Sequence, residues 1–344
     1  MRYYFFFLLT VFTICNGYGQ DAQFSQFYAA PLYTNPAYTG TVENTRVTAV
    51  YRNQWPTAGS QSYVSSLASI DHYLSKYNSG IGFMVMQNQA GSANLRSTQA
   101  SFFYSYHIYL NEKWKFIPAL QASVVNRNIN FYDLTFPDQF TNTGYTGAAS
   151  NEPGNYSNKL YADFSTGGLL YSDVFWFGAS YHHLNHPNQS FTGTVTPLPG
   201  ELNLQAGARI PIDNKALGRT SQKHYKTKAL MPSVLYKQQG NFSQLDAGMY
   251  MLYEPLILGV YYRGLPFKHY APQYPNHESV ILMIGFNYQN FTFGYSYDIV
   301  VSRLTTASGG ANEITLTYLF GKEQDPRKSK YKHNNVRCPS FYNH

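Results

Sequence analysis

The chain predicts an all-β fold: a transmembrane antiparallel β-barrel of the outer-membrane type with about 14 strands. Three observations point there. The first is period-two alternation with one greasy face. Phe291, Phe293, Tyr295, Tyr297 and Ile299 interleave with Thr292, Gly294, Ser296 and Asp298, the repeat of a strand between two unlike surroundings. The second is composition. Only 12% of the 344 residues are charged while 17% are aromatic, where a soluble domain averages about 25% charged. Mean hydropathy is nonetheless −0.35, too polar for helical spans. A polar interior and an apolar lipid face average to such values. The third is connection length. The stretches 127–159, 183–201 and 263–277 are long, whereas Ser172-Asp173, Tyr253-Glu254-Pro255 and Gln289-Asn290 are tight. Alternating long outer loops and short periplasmic turns mark a bacterial barrel with both termini in the periplasm.

Taken in order, residues 1–19 read as a signal peptide. Arg2 precedes an apolar run over 3–14, then Cys15-Asn16-Gly17-Tyr18-Gly19-Gln20. The run is shorter than the roughly 20 residues of a membrane helix, and cleavage is expected near Gly19–Gln20. Bulky Ile14 before Cys15 disfavours a lipoprotein signal. Cleavage leaves Cys338 as the single thiol, so no internal disulfide can form. Residues 20–44 carry Pro31, Pro36 and Gly40, which exclude a regular strand or long helix. Phe24, Phe27, Tyr28, Tyr33 and Tyr38 argue against plain disorder. This segment is expected to be a periplasmic, plug-like element packed against the barrel mouth or inside it.

The barrel is expected over 45–320. Its candidate strands are 45–53, 61–71, 79–88, 95–108, 113–126, 160–171, 174–182, 202–211, 228–238, 242–252, 256–262, 278–288, 291–300 and 311–320. Two connections depart from the long–short rule: 239–241 is tight where a long loop is expected, and 212–227 is long. Most charges within strands fall on the inner parity: Arg46, Arg52, Asp163, Arg209, Lys237, Asp246, Asp298 and Glu313. Facing lipid, a midplane Arg or Lys would cost roughly 2–4 kcal/mol. Their mixed signs favour pairing across a filled lumen over a selectivity ring of one sign. The tail 321–344 is basic, with six Lys/Arg against two Asp/Glu.

Net charge is +7, but much of it sits in the tail and an exported protein meets no genome, so nucleic acid is excluded as a partner. Tyr181-His182-His183-Leu184-Asn185-His186-Pro187 has imidazoles at zinc-like spacing, without a nearby cysteine or carboxylate to complete a site. No assembled nucleophile, base and acid can be named. Neither a cofactor, a metal nor enzymatic activity is expected. Partner-binding candidates are the tail residues Arg327, Lys328, Lys330, Lys332, Arg337 and Cys338, and Phe131, Tyr132, Phe136 and Tyr145 in the long loop 127–159. Basic residues suit an acidic protein or anionic headgroups, and loops on rigid scaffolds commonly bind.

Several segments then carry a resemblance. QFSQFYAAPLYTNPAYTG near the start, YRNQWP at 51–56, Gln89-Ala90-Gly91, YHHLNHP at 181–187, YSYDIVVSRL at 295–304, GANEITLTYLF at 310–320 and RCPSF at 337–341 occur in that order. Together they resemble the PorP/SprF family of type IX secretion membrane proteins of Bacteroidetes. Ala311-Asn312 departs from the Ser-His common there. The resemblance implies a non-enzymatic outer-membrane barrel in the lipid bilayer. It would support secretion and surface anchoring of a large adhesin or other type IX client, touching periplasmic and outer-membrane secretion or gliding components. A passive porin or solute transporter is the alternative.

Overall fold

The computed structural model describes residues 21–321, apart from 43, 58–61, 92–94, 131–133, 149, 152–157, 192–194, 213–227, 272–273 and 302–308. Fourteen long strands form one closed antiparallel barrel. They are β1 (Thr45–Gln54), β2 (Tyr63–Leu74), β3 (Ser79–Ala90), β4 (Leu95–Tyr106), β5 (Lys115–Asn128), β6 (Asn158–Tyr171) and β7 (Phe175–His182). β8 (Glu201–Ala208), β9 (Lys228–Gln239), β10 (Phe242–Tyr253), β11 (Leu256–Ala271), β12 (Tyr274–Tyr288), β13 (Phe291–Val300) and β14 (Ala311–Phe320) complete it. Each strand pairs with its sequence neighbour, and β1 pairs with β14 from Thr45 opposite Phe320 to Gln54 opposite Ala311. Closure leaves no free sheet edge. The pair Ile108–Tyr109 adds to the edge of β5, Ile210–Pro211 adds to β9, and Phe140–Thr141 pairs with Gly144–Tyr145 in a small loop hairpin.

One difference from the sequence reading concerns strand extent. The stretch 263–277 is paired strand over most of its length, because β11 and β12 continue past Arg263. Register shifts at Arg263/Gly264 and beyond absorb the residues that read as a loop, the work of β-bulges. The tight connection after β9 is real: Gly240-Asn241 joins β9 to β10, and Gly240 takes φ +56°, a value that glycine adopts freely.

The parity of each strand separates two environments. On β4, Ser101, Phe103 and Ser105 are buried while Phe102, Tyr104 and Tyr106 are exposed. On β14, Glu313, Thr315, Thr317 and Leu319 are buried while Ile314, Leu316 and Phe320 are exposed. Large apolar side chains outside and small or polar ones inside invert a soluble core, as lipid contact requires. Among the described residues no helix is long and apolar enough to cross a membrane. Thr45 and Phe320 lie at the end bearing the tight turns 75–78, 172–174, Glu254-Pro255 and Gln289-Asn290; the long connections after Asn128 and His182 leave from the other end, whereas the long connection from Ala208 to Lys228 starts and ends at the turn-bearing one.

The lumen is occupied by the chain itself. Residues 21–42, here termed the strap, pass through it and are mostly buried. The strap contains one helical turn, α1 (Pro31–Thr34), and a 3-10 turn over Pro36–Tyr38. Each begins with proline, whose fixed φ suits a first helical position and whose missing N–H removes a donor no helix bond would use. The Asn35 side chain accepts from the Ala37 N–H at 2.9 Å and caps the second turn.

Candidate functional site

The strap is held at three levels. At the middle of the lumen lies a charge cluster from five strands. Arg52 on β1 reaches Asp298 on β13 at 2.7 Å and Glu313 on β14 at 3.1 Å. Arg263 on β11 meets Asp246 on β10 at 3.0 Å and the same Asp298 at 3.2 Å. Two guanidinium groups therefore face three buried carboxylates, with the partly exposed Glu278 4.0 Å from Arg263, and the strap supplies the missing donors. The N–H groups of Ser25 and Gln26 donate to the two Glu313 oxygens at 2.7 and 2.8 Å. The Ser25 hydroxyl donates to Asp298 at 2.7 Å and accepts from Arg52 at 2.8 Å. Side chains of Arg52, Arg263 and Glu313 are at most 1% exposed. A buried ion cluster is tolerable only when its remaining lone pairs and protons are satisfied, so here the strap is a structural member of the cluster.

Apolar contacts flank these polar ones. Phe27 packs edge-on against Tyr261 with centroids 5.4 Å apart, and Tyr28 against Tyr250 at 4.5 Å. On the opposite wall Phe24, Ala30 and Leu32 pack with Val50, Leu67, Met84, Met86 and Phe103. Fully burying each Phe or Leu side chain contributes roughly 1.5–3 kcal/mol. Glycines on the inner parity make room. A Cβ on Gly294 would collide with the Gln26 amide, one on Gly167 with the Asn35 side chain, and one on Gly80 with the Thr39 carbonyl. Through that opening Asn35 donates to the carbonyls of Gly168 on β6 and Ala179 on β7, each at 3.2 Å.

At the turn-bearing end Arg46 pairs with Asp71 at 2.8 Å and donates to the Tyr38 carbonyl at 3.1 Å. Asp71 also accepts from the Gly40 N–H at 2.8 Å. Ser105 donates to the Thr39 carbonyl at 2.8 Å, with the His107 ring 3.2 Å from the same oxygen. His107, between β4 and the next short strand, is pushed down to about 3 by burial and then by the Lys115 charge, so it is a neutral ring there.

At the loop-bearing end the first described residue closes the arrangement. Asp21 meets the His183 Nε2 at 2.6 Å, while the His183 Nδ1 meets Asp163 of β6 at 3.0 Å. The Asp21 N–H donates to Gln239, the last residue of β9, at 3.1 Å. Burial opposes a charge on His183, but the Asp21 carboxylate and the hydrogen bonds to Asp163 and Asp21 prevail and raise it to about 11. Burial likewise opposes the Asp21 charge, and the facing His183 holds that carboxyl below its ordinary value. The latch is thus a carboxylate–imidazolium–carboxylate triplet. The rest of YHHLNHP supports it: Ser180 sits 3.2 Å from His182 and donates to the Thr34 carbonyl, Asn185 donates to Ala162, and His186 lies 3.1 Å from the Leu198 carbonyl. Each imidazole has its own protein partner, and among the described residues no group of His, Cys, Asp and Glu is arranged to hold a metal.

Arg46, Arg52, Asp163, Asp246, Asp298 and Glu313 are all buried on the inner wall; Lys237 is 9% exposed, and Arg209 is half-buried at the break after β8. In the long loop Phe136 is half-buried and precedes the 3-10 turn at Pro137, and Tyr145 is exposed beside Phe140. Phe131, Tyr132 and the tail residues Arg327, Lys328, Lys330, Lys332, Arg337 and Cys338 lie outside the described residues. The reading missed Arg263 and Asp71 as lumen charges and His183 as an anchor. Their signal was present: Arg263 lies at the end of the predicted 256–262 strand, and inner-parity glycines mark where a second backbone approaches. The segment 20–44, expected against the barrel mouth or inside it, runs along the lumen from Asp21 at the loop-bearing mouth to the turn-bearing end, which residues from about Tyr38 onward reach.

A family model described as type IX secretion system membrane protein PorP/SprF matches residues 16–318. No curated protein matches the chain. Among solved structures, the P. putida toluene transporter TodX is 13% identical, covering 86% of this chain and 95% of that one, with a TM-score of 0.42. A Pseudomonas aeruginosa FadL homologue is 12% identical over 85% and 94%, at 0.42. The Acinetobacter baumannii outer membrane protein Omp33 is 8% identical over 82% and 100%, also at 0.42.

Proposed function

We propose, since this chain belongs to the PorP/SprF family of type IX secretion system membrane proteins, that it is a non-enzymatic outer-membrane partner in that system. In this reading it supports secretion and surface anchoring of a large adhesin or other exported client. Its long loops, including Phe136 and Tyr145, face the client. Its basic tail, with Arg327, Lys328, Lys330, Lys332, Arg337 and Cys338, faces periplasmic secretion or gliding components.

The observation that carries the reading is the strapped lumen. A barrel whose interior is crossed by its own chain, with that chain built into the buried ion cluster, is suited to holding partners at its two mouths rather than passing solutes. The rival reading, a porin or solute transporter, requires the strap to leave.

The test is made in cells carrying the intact chain, a deletion, or a truncation after Phe320. The expected result is loss of surface-displayed client in the deletion. In the truncation the barrel is expected to insert normally while client display falls. Undiminished display in both strains, together with a steady large single-channel conductance of the purified protein, would overturn the proposal.

A further inference from the structure

The strap has a direction. Its last residues lie by Arg46 and Asp71, close to where β1 begins at the turn-bearing end. Its first described residue, Asp21, lies between His183, just past the end of β7, and Gln239, the end of β9. Both of those strand ends open onto the loop-bearing mouth. Described residues of the 183–200 loop lie beside this point. His186 and Leu198, Gln189 and Thr196, and Pro187 and Leu198 are bonded across it, and Pro199 accepts from Gln239. Asp21 keeps 30% of its side chain exposed there, whereas Ala22, Phe24 and Ser25 are buried.

We infer that the amino-terminal end of the strap is presented at the loop-bearing mouth, where Asp21 forms one composite surface with His183, Leu184 and Pro199. The end of β14 is presented on the other side. The chain thus offers an attachment point on each face of the membrane, with the lumen contacts between them. A partner that grips the amino-terminal end meets it beside Leu184, which is exposed next to His183. Its contact there is with an end fixed by the His183 imidazolium rather than with a loose tail. The inference deepens the proposed function, because it puts the amino-terminal end on the client-facing side.

The test places single reporter cysteines in the full-length Cys338→Ser chain: Asp21→Cys, Leu184→Cys on the loop side and Lys76→Cys in the turn joining β2 to β3. Intact cells are exposed to a membrane-impermeant maleimide before and after outer-membrane permeabilisation. A second form, with a short epitope inserted between Gln20 and Asp21, keeps the latch intact and is read with antibody on whole cells. The expected result is that position 21 and the epitope are reached together with position 184, while position 76 is reached at least tenfold less until permeabilisation. Labelling of 21 that follows 76 would overturn the inference. If 76 is reached from outside and 184 is not, the orientation in the proposed function fails. The inference is then supported if 21 follows 184 and overturned if it follows 76.

Discussion

The central cluster and the loop-side latch do the same work with different chemistry. Both hold the strap by placing cations between carboxylates. In the centre the cations are Arg52 and Arg263, whose side chains are at most 1% exposed. At the mouth the cation is His183, with 10% exposure and a partner at 30%. Arginine keeps its proton under all ordinary conditions, which suits a site that water cannot reach to compensate a lost charge. Histidine becomes a stable cation only where neighbours make it one. The centre is therefore a permanent lock, and the mouth is a conditional one.

The largest effect expected is from removing a central cation. Arg52→Ala leaves Asp298 and Glu313 short of a partner in a buried site, at a cost of roughly 3–5 kcal/mol. Urea unfolding of the barrel in detergent should show the largest midpoint loss for this variant. An unchanged midpoint would mean that the centre locks nothing. Gly294→Val sharpens the comparison by displacing the strap while keeping every charge. A side chain there meets the Gln26 amide and the Thr315 hydroxyl, an overpacking of about 1–3 kcal/mol. Protease cleavage within residues 21–42 and a gain in ion conductance should accompany it; a variant still resistant and closed would show that the wall yields instead.

The smallest effect is the pH response of the mouth. His183 is raised to about 11, so its contribution is complete below the unfolded value of about 6.5 and is lost as pH rises toward 11. Asp21 is lowered, so its contribution is present above about 3.9 and is lost as pH falls through its folded value. The latch is thus strongest between about pH 4 and 6.5. Relative to the base-catalysed intrinsic rate at each pH, the protection of amide hydrogens near Asp21 should fall severalfold between pH 6.5 and 10, while protection at Ser25 and Gln26 is kept. Equal loosening at both places would erase the distinction.

The barrel was legible because lipid on one side and a polar lumen on the other impose a period of two on every strand. Glu313 and Asp298 could be assigned inward from parity alone. Arg263 continues the inward parity of Ile257 and Tyr261, but Gly264 and Pro266 after it look like the start of a loop, and pairing with β12 shows the bulged continuation that keeps it in the strand. The strap was harder still. Ser25, Gln26, Asn35 and Thr39 follow no period, so nothing in their spacing says which wall they meet. Several of their contacts join residues more than a hundred positions apart in sequence, such as Gln26 with Glu313 and Asn35 with Ala179. Parity constrains a strand against its surroundings; it does not constrain a segment that is itself the surroundings.

Gly80, Gly167 and Gly294 have a consequence beyond clearance. The wall is an impression of this one strap, recorded as atoms left out. Lining and insert are therefore not interchangeable parts. A foreign segment grafted over residues 21–42 would find hollows it does not fill, and this strap moved into another barrel would jam against side chains where these glycines stand. Any change to one half has to be answered in the other, so the two can diverge only as a pair.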